Sequence, residues 1–253
     1  MIRSLLLITC FTASFCNAFA QIEKAEQSIE WFGLTNNIKV SKRLTVLAEG
    51  QFRYVGSFQP MQFQARTGLT IKINDHFSIM PLAYVYSWNP IYGVQPATYV
   101  NNEHRTFQQF QYKHTVGIVN LDYRVRFEQR FIEVHETNNG EVISKGYTLY
   151  LNRMRTRVAA QVPINHNAIE PKTIFASFYD ELFVEFGGST IYTDPDQNRV
   201  FLGGGYQVNE AINVQAGFLY QMLIKLSGVK QENNYGFQMV LTHNLDLTKK
   251  KTK

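Results

Sequence analysis

A strict two-residue alternation of apolar and charged side chains constrains this chain more than any other feature, and it is clearest from Val119 to Phe131, V-N-L-D-Y-R-V-R-F-E-Q-R-F. Side chains alternate across a β-strand, so Val119, Leu121, Tyr123, Val125, Phe127 and Phe131 project one way. Asp122, Arg124, Arg126, Glu128 and Arg130 project the other. A strand of this kind has to lie between two different media.

The same period recurs along the chain, with turn residues between segments. Segment 43–54 sets Leu44, Val46, Ala48, Phe52 and Tyr54 against Thr45, Glu49, Gln51 and Arg53. Segment 61–73 sets Met61, Phe63, Ala65, Leu69, Ile71 and Ile73 against Gln62, Gln64, Arg66, Thr70 and Lys72, and Asn74-Asp75 turns the chain into 76–88. Segment 104–113 leads through a short turn into 118–132. In 147–162, Tyr150, Met154, Val158, Ala160 and Val162 oppose Arg153, Arg155, Arg157 and Gln161. In 173–186, Ile174, Ala176, Phe178, Leu182, Val184 and Phe186 oppose Ser177, Glu181 and Glu185. Segments 198–208, 211–223 and 234–245 keep the pattern with more Gly and Gln.

The expected fold is all-β: an antiparallel transmembrane β-barrel of about 10–12 strands with a polar, Arg/Glu-rich interior. Several segments reach about 12 to 15 residues, where strands of soluble proteins average about five or six. Connections alternate in length, short near 40–42, 74–75, 114–117 and 208–210 and longer near 89–103, 133–146, 187–197 and 224–233, with 163–171 an imperfect member of the short set. Long two-faced strands with this asymmetry match barrels that cross a bilayer. Aromatic residues at the ends of the apolar faces fit two interfacial girdles, Tyr54, Phe131, Tyr150, Phe186 and Tyr235 near the long loops and Tyr112 and Tyr206 near the short turns. Counting 29–38 as a strand gives eleven, against the even numbers of bacterial single-chain barrels. Either that weak first segment stays outside the wall or pairs at its seam, or one further strand is uncounted.

The chain divides into a cleavable signal peptide over 1–20, a barrel over 21–248 and a basic tail over 249–253. Arg3, the apolar run from Leu5 to Phe15 and Ala18-Phe19-Ala20 have the order of a secretory leader. Both cysteines, Cys10 and Cys16, fall inside it. Cleavage after Ala20 would leave a mature chain without disulfides or thiol chemistry. Lys249, Lys250, Lys251 and Lys253 account for most of the net charge of +5, so the basic balance does not point to nucleic acid.

Several spaced motifs coincide: Glu103-His104-Arg105, Arg124 to Phe131, Arg153-Met154-Arg155-Thr156-Arg157, Asp180-Glu181-Leu182-Phe183 and Asp196-Gln197-Asn198-Arg199, with Trp31 and the strand around Glu49 to Arg53. In this combination the chain resembles the uncharacterised envelope family called domain of unknown function 2490. The resemblance covers nearly the whole mature chain. It implies an outer-membrane β-barrel of Gram-negative bacteria, with outer-membrane lipid as its surroundings, and carries no established activity, catalytic residue or cofactor. Such barrels often end on an aromatic residue; here Leu245-Asp246-Leu247 is followed by the lysine tail.

Placed inside a barrel, Glu49, Arg53, Arg66, Glu103, Arg105, Asp122, Arg124, Arg126, Glu128, Arg130, Arg153, Arg155, Arg157, Glu181, Glu185 and Arg199 would line or fill the lumen. They can brace neighbouring strands as bidentate ion pairs, or form an anion-attracting constriction in a narrow, porin-like channel. A membrane-embedded lipid hydrolase is the first alternative, although the six histidines stand in no hydrolase or metalloprotease motif. His135 between Glu133 and Glu136 is the densest metal-like cluster, and it falls in a predicted external loop. A secreted, lipocalin-like ligand-binding barrel is the second alternative, since it would show the same period with its faces reversed. No catalytic, cofactor or metal residue is assigned.

Overall fold

The computed structural model describes residues 22–187 and 195–248; the expected leader over 1–20 and the expected tail over 249–253 lie outside them. Thirteen strands follow in order: β1 Glu23–Lys39, β2 Leu44–Val55, β3 Gln59–Lys72, β4 Phe77–Trp88, β5 Glu103–Val116, β6 Val119–Ile132, β7 His135–Asn138, β8 Glu141–Ser144, β9 Leu149–Pro163, β10 Thr173–Phe186, β11 Pro195–Gln207, β12 Ile212–Ile224 and β13 Lys230–Asp246. Eleven of them close into one barrel, while β7 and β8 pair as a separate hairpin between β6 and β9.

Ten neighbouring pairs in the barrel are antiparallel, and β1 pairs with β13 in parallel. The expectation of a purely antiparallel barrel is corrected here, and the reason is parity. Successive strands run up and down, so in an odd-numbered ring the first and last point the same way. The weak first segment is thus a full member of the wall and pairs at its seam, in register with β13 from Glu23↔Lys230 to Lys39↔Asp246 and with β2 from Ile29↔Val55 to Lys39↔Thr45. Closure leaves no barrel strand with an unpaired edge.

The seam needs close backbone approach. A Cβ at Gly236 would stand 1.7 Å from the Ile29 carbonyl oxygen. At the Gly50 position on β2, the nearest atom would be 3.7 Å away, in the Phe52 ring.

Two irregularities turn side chains across the wall. The register of β2 and β3 shifts between Arg53 and Tyr54, so Met61 is an extra residue opposite the break and points inward, buried with Ile29, Trp31, Val55, Phe201 and Leu219. Met61 was expected on the outer, apolar face, and the bulge is the physical reason it is not. The ladders flanking β4 skip Pro81 and Leu82. Proline has no N–H to give a ladder, so the break falls where a donor is missing. Met80 thereby turns inward beside Leu47, Ala83, Val85 and Phe107.

The rims differ. One carries connections 40–43, 73–76, 117–118, 164–172 and 208–211; the other carries 56–58, 89–102, 133–148 and 225–229. The expected asymmetry holds in part: on the long-loop rim 56–58 is a tight turn with positive φ at Gly56, Ser57 and Phe58 and 225–229 is short, while 164–172 is long on the other rim. The long connection expected near 224–233 narrows because β13 begins at Lys230.

If the seam is parallel, Leu34→Cys and Leu241→Cys, outward register partners, should cross-link on oxidation in a chain with Cys10 and Cys16 replaced by serine. Gly236→Ala should sharply lower the yield of folded barrel on heat-modifiability gels, and Gly50→Ala should leave it near wild type.

Candidate functional site: the charged interior

All sixteen charged residues expected in the lumen lie on the inward face of the wall. Alternation makes this follow from the sequence: Leu82, Leu202, Phe218 and Ile174 are exposed outside, while Glu128 is wholly inaccessible. The charged side chains therefore face inward, beside two buried apolar clusters, while many large apolar side chains are exposed on the outer face.

Glu128 is the hub. It accepts from Arg153 at 2.7 Å and Arg155 at 2.7 Å, with Arg105 at 3.6 Å and Arg126 at 3.7 Å. Arg155 also donates to Glu181 at 2.9 Å, where Arg124 is a second partner and Arg199 approaches to 3.7 Å. In the other direction Arg105 donates to Glu103 at 2.8 Å, and Arg130 joins Glu103, at 2.8 Å, to Glu185. The chain Glu185–Arg130–Glu103–Arg105–Glu128–Arg155–Glu181–Arg199 ties β5, β6, β9, β10 and β11 together. Forked guanidinium donors suit this bridging because one group can face two carboxylates at once.

Glu49 and Arg66 form a separate pair at 2.6 Å on β2 and β3, and Asp122 lies 3.4 Å from Arg157 and 3.7 Å from Lys113 towards the short-turn rim. Arg53 differs from the rest. Its guanidinium donates to the side-chain oxygens of Gln51 (2.5 Å), Gln64 (3.2 Å) and Gln62, and no carboxylate among the described residues lies within 4.0 Å of it.

Sequence reasoning missed the aromatic residues that separate these cations. Phe183 has the Cζ of Arg155 and Arg199 at 4.5 Å from its ring centre and that of Arg153 at 5.2 Å. Phe107 has Arg126 at 4.1 Å and Arg66 at 6.0 Å, and Trp31 has Arg53 at 4.1 Å and Arg199 at 4.9 Å. Aromatic faces attract cations, so the rings relieve repulsion between neighbouring guanidinium groups. Parity was the available signal: Phe183 sits between Glu181 and Glu185, and Phe107 follows Arg105 by two.

Cross-lumen contacts fill the space further. Tyr179 on β10 donates to Gln238 on β13 at 2.7 Å, and Ser177 donates to Gln215 on β12 at 2.9 Å. The long-loop mouth is covered by 89–102, where Gln95 donates to the Glu23 carbonyl at 3.0 Å and Tyr92 packs on the Ile29–Trp31–Met61 cluster. Burial pushes the Tyr92 phenol above its ordinary pKa.

The histidines are elsewhere. His104 faces outward, with its Nδ1 2.5 Å from the Tyr84 hydroxyl and its ring against Tyr86 and Tyr147. His135 lies on the β7–β8 hairpin, 3.5 Å from Glu133, and no metal-binding cluster occurs among the described residues.

Removing the hub should cost most. Glu128→Gln leaves several arginines around a neutral amide and should destabilise the barrel by about 3–5 kcal/mol. Glu185→Gln, which touches one arginine at the rim of the network, should cost clearly less. Urea unfolding in detergent, followed by far-UV circular dichroism, ranks the two.

The residues of the spaced motifs are the members of this network: Glu103 and Arg105, Arg124 to Arg130, Arg153 to Arg157, Glu181 and its register partner Arg199. A scan against family models matches residues 30–233 to a family described as Protein of unknown function (DUF2490). No curated protein and no solved structure matches the chain. The match spans most of the chain and every strand that carries the charged interior, and the protein belongs to the DUF2490 family.

Proposed function

We propose that this protein is an integral barrel of the bacterial outer membrane whose interior is closed by its own ion-pair network, serving as a structural element of the envelope. One observation carries the reading: the wall is apolar outside and charged inside. Exposed Phe52, Leu82, Ile174, Leu202 and Phe218 present a surface that water does not favour and lipid does. A secreted ligand-binding barrel would need the opposite polarity.

Further features support a bilayer setting. The barrel strands run from 12 to 17 residues, enough for tilted strands to cross. Near the long-loop rim, Phe131 packs on Tyr150 with ring centres 5.2 Å apart, as Tyr220 does on Tyr235, and Phe63 stacks on Trp88 at 5.2 Å. Near the short-turn rim, Tyr112 contacts Phe77 and Tyr123. Two such belts suit lipid–water interfaces. Polar groups on the outer face bond one another: Thr106 donates to Gln129 at 3.0 Å, and Asn198 donates to Asp180 at 2.7 Å. Pairing of this kind lowers the cost of placing them against hydrocarbon.

Closure of the lumen is supported by Phe107, Glu128 and Phe183, which a water molecule does not reach. The second reading is a narrow anion-preferring pore, favoured by ten interior arginines against six carboxylates among the sixteen residues named above.

The mature protein should partition with outer membranes and need detergent to stay dispersed. Planar-bilayer recordings should be silent. Discrete anion-selective conductance that falls in Arg126→Ala or Arg155→Ala would replace the closed barrel with the pore. Incubation with labelled phospholipid or lipid A should give no turnover, and turnover would establish a hydrolase.

A further inference from the structure

We propose that the barrel interior binds one small monovalent anion, of chloride's size, in the cavity between Trp31 and Arg53. This goes beyond the reading above and holds whether or not the barrel conducts.

The cavity has a volume of about 20 Å³ and is lined by Trp31, Gly33, Thr35, Gln51, Arg53 and Gln238 among others. That is room for about one water-sized particle, too little for phosphate, sulfate or an organic acid. Trp31 and Arg53 are 4% and 6% exposed. The indole Nε1–H of Trp31 and the Nε–H of Arg53 are both buried without a hydrogen-bond partner. Each group can only donate, so whatever fills the space has to accept.

Charge then separates an anion from a water molecule. Two guanidinium groups lie over the Trp31 ring, and among the described residues Arg53 donates to glutamines alone. The nearest relay to a carboxylate runs from Arg53 through the Gln51 amide, which donates to Glu49 at 2.5 Å, and Glu49 is already paired with Arg66. Arg199 shares Glu181 with Arg124 and Arg155. Gln238, whose oxygen accepts from Tyr179, has an amide NH₂ that can donate into the cavity. A water molecule would satisfy the orphaned donors and leave the buried positive charge uncompensated, which is costly in a water-excluded interior. A halide does both.

The chain has two tryptophans, so a Trp88→Phe variant leaves Trp31 as the sole indole reporter. The full-length folded barrel in neutral detergent is titrated with sodium chloride, sodium bromide or sodium gluconate at constant ionic strength. The expected result is a saturable change in Trp31 emission with chloride, stronger quenching with bromide, and none with gluconate. Adding Arg53→Gln should abolish the saturable phase. A linear, unsaturated response, the same response in gluconate, or an undiminished one in the Arg53→Gln barrel overturns the proposal. Should Arg53→Gln fail to fold, wild-type crystals soaked in bromide decide: an anomalous peak between Trp31 and Arg53 upholds the site, and its absence there overturns it.

Discussion

Burial of Glu128 among four arginines is the interaction on which the rest depends. A carboxylate with no access to water is tolerable only when its charge is met on several sides, and each arginine that meets it comes from a strand that must then sit in one register. Arg105, Arg126, Arg153 and Arg155 lie on β5, β6 and β9, so the hub sets three strands at once, and Glu181 extends the constraint through β10 to β11. In a wall whose outer face is largely apolar, a slip of two residues would keep the inside–outside pattern and cost little. The ion network is what distinguishes the correct register from that slip.

The two halves of the interior differ in kind. Strands β5 to β11 carry the carboxylates that neutralise their arginines, whereas β1 to β4 contribute Trp31, Gln51, Gln64 and Ser87 around Arg53 and Arg66. On that side Arg66 is met by Glu49, whereas Arg53 is held by glutamine amides and the Trp31 ring. Aromatic side chains inside the barrel thus act as spacers between cations, while those outside form the rim belts.

Much of the wall was legible because the strand period is two: once Leu121, Val125 and Phe127 face one medium, Arg124, Arg126 and Glu128 must face the other. All sixteen interior charges followed from that step. Where the period breaks, legibility ends. Met61 turned inward because β2 and β3 change register, and Pro81 interrupts the ladder at a point that alternation alone does not reveal. The parallel β1–β13 pair was hidden for another reason: pairing between chain-distant strands leaves no local trace, so seam pairing was one of several ways to account for an odd count. Partner choice inside was equally invisible: the pattern named the charges, but only the fold puts Arg155 between Glu128 and Glu181, or leaves Arg53 among glutamines.

The parallel seam bears on how the barrel is made. Lys39 and Asp246 meet across 207 positions of chain, and no hairpin can deliver that contact early. Every other barrel strand reaches its neighbours through a local connection, so the sheet can grow by adding one strand after another. The seam alone must wait for the last strand, and until then β1 and the growing end both present open edges. Closure is therefore a single late event, and whatever assembles this protein has to shelter two sticky edges for as long as the chain is incomplete.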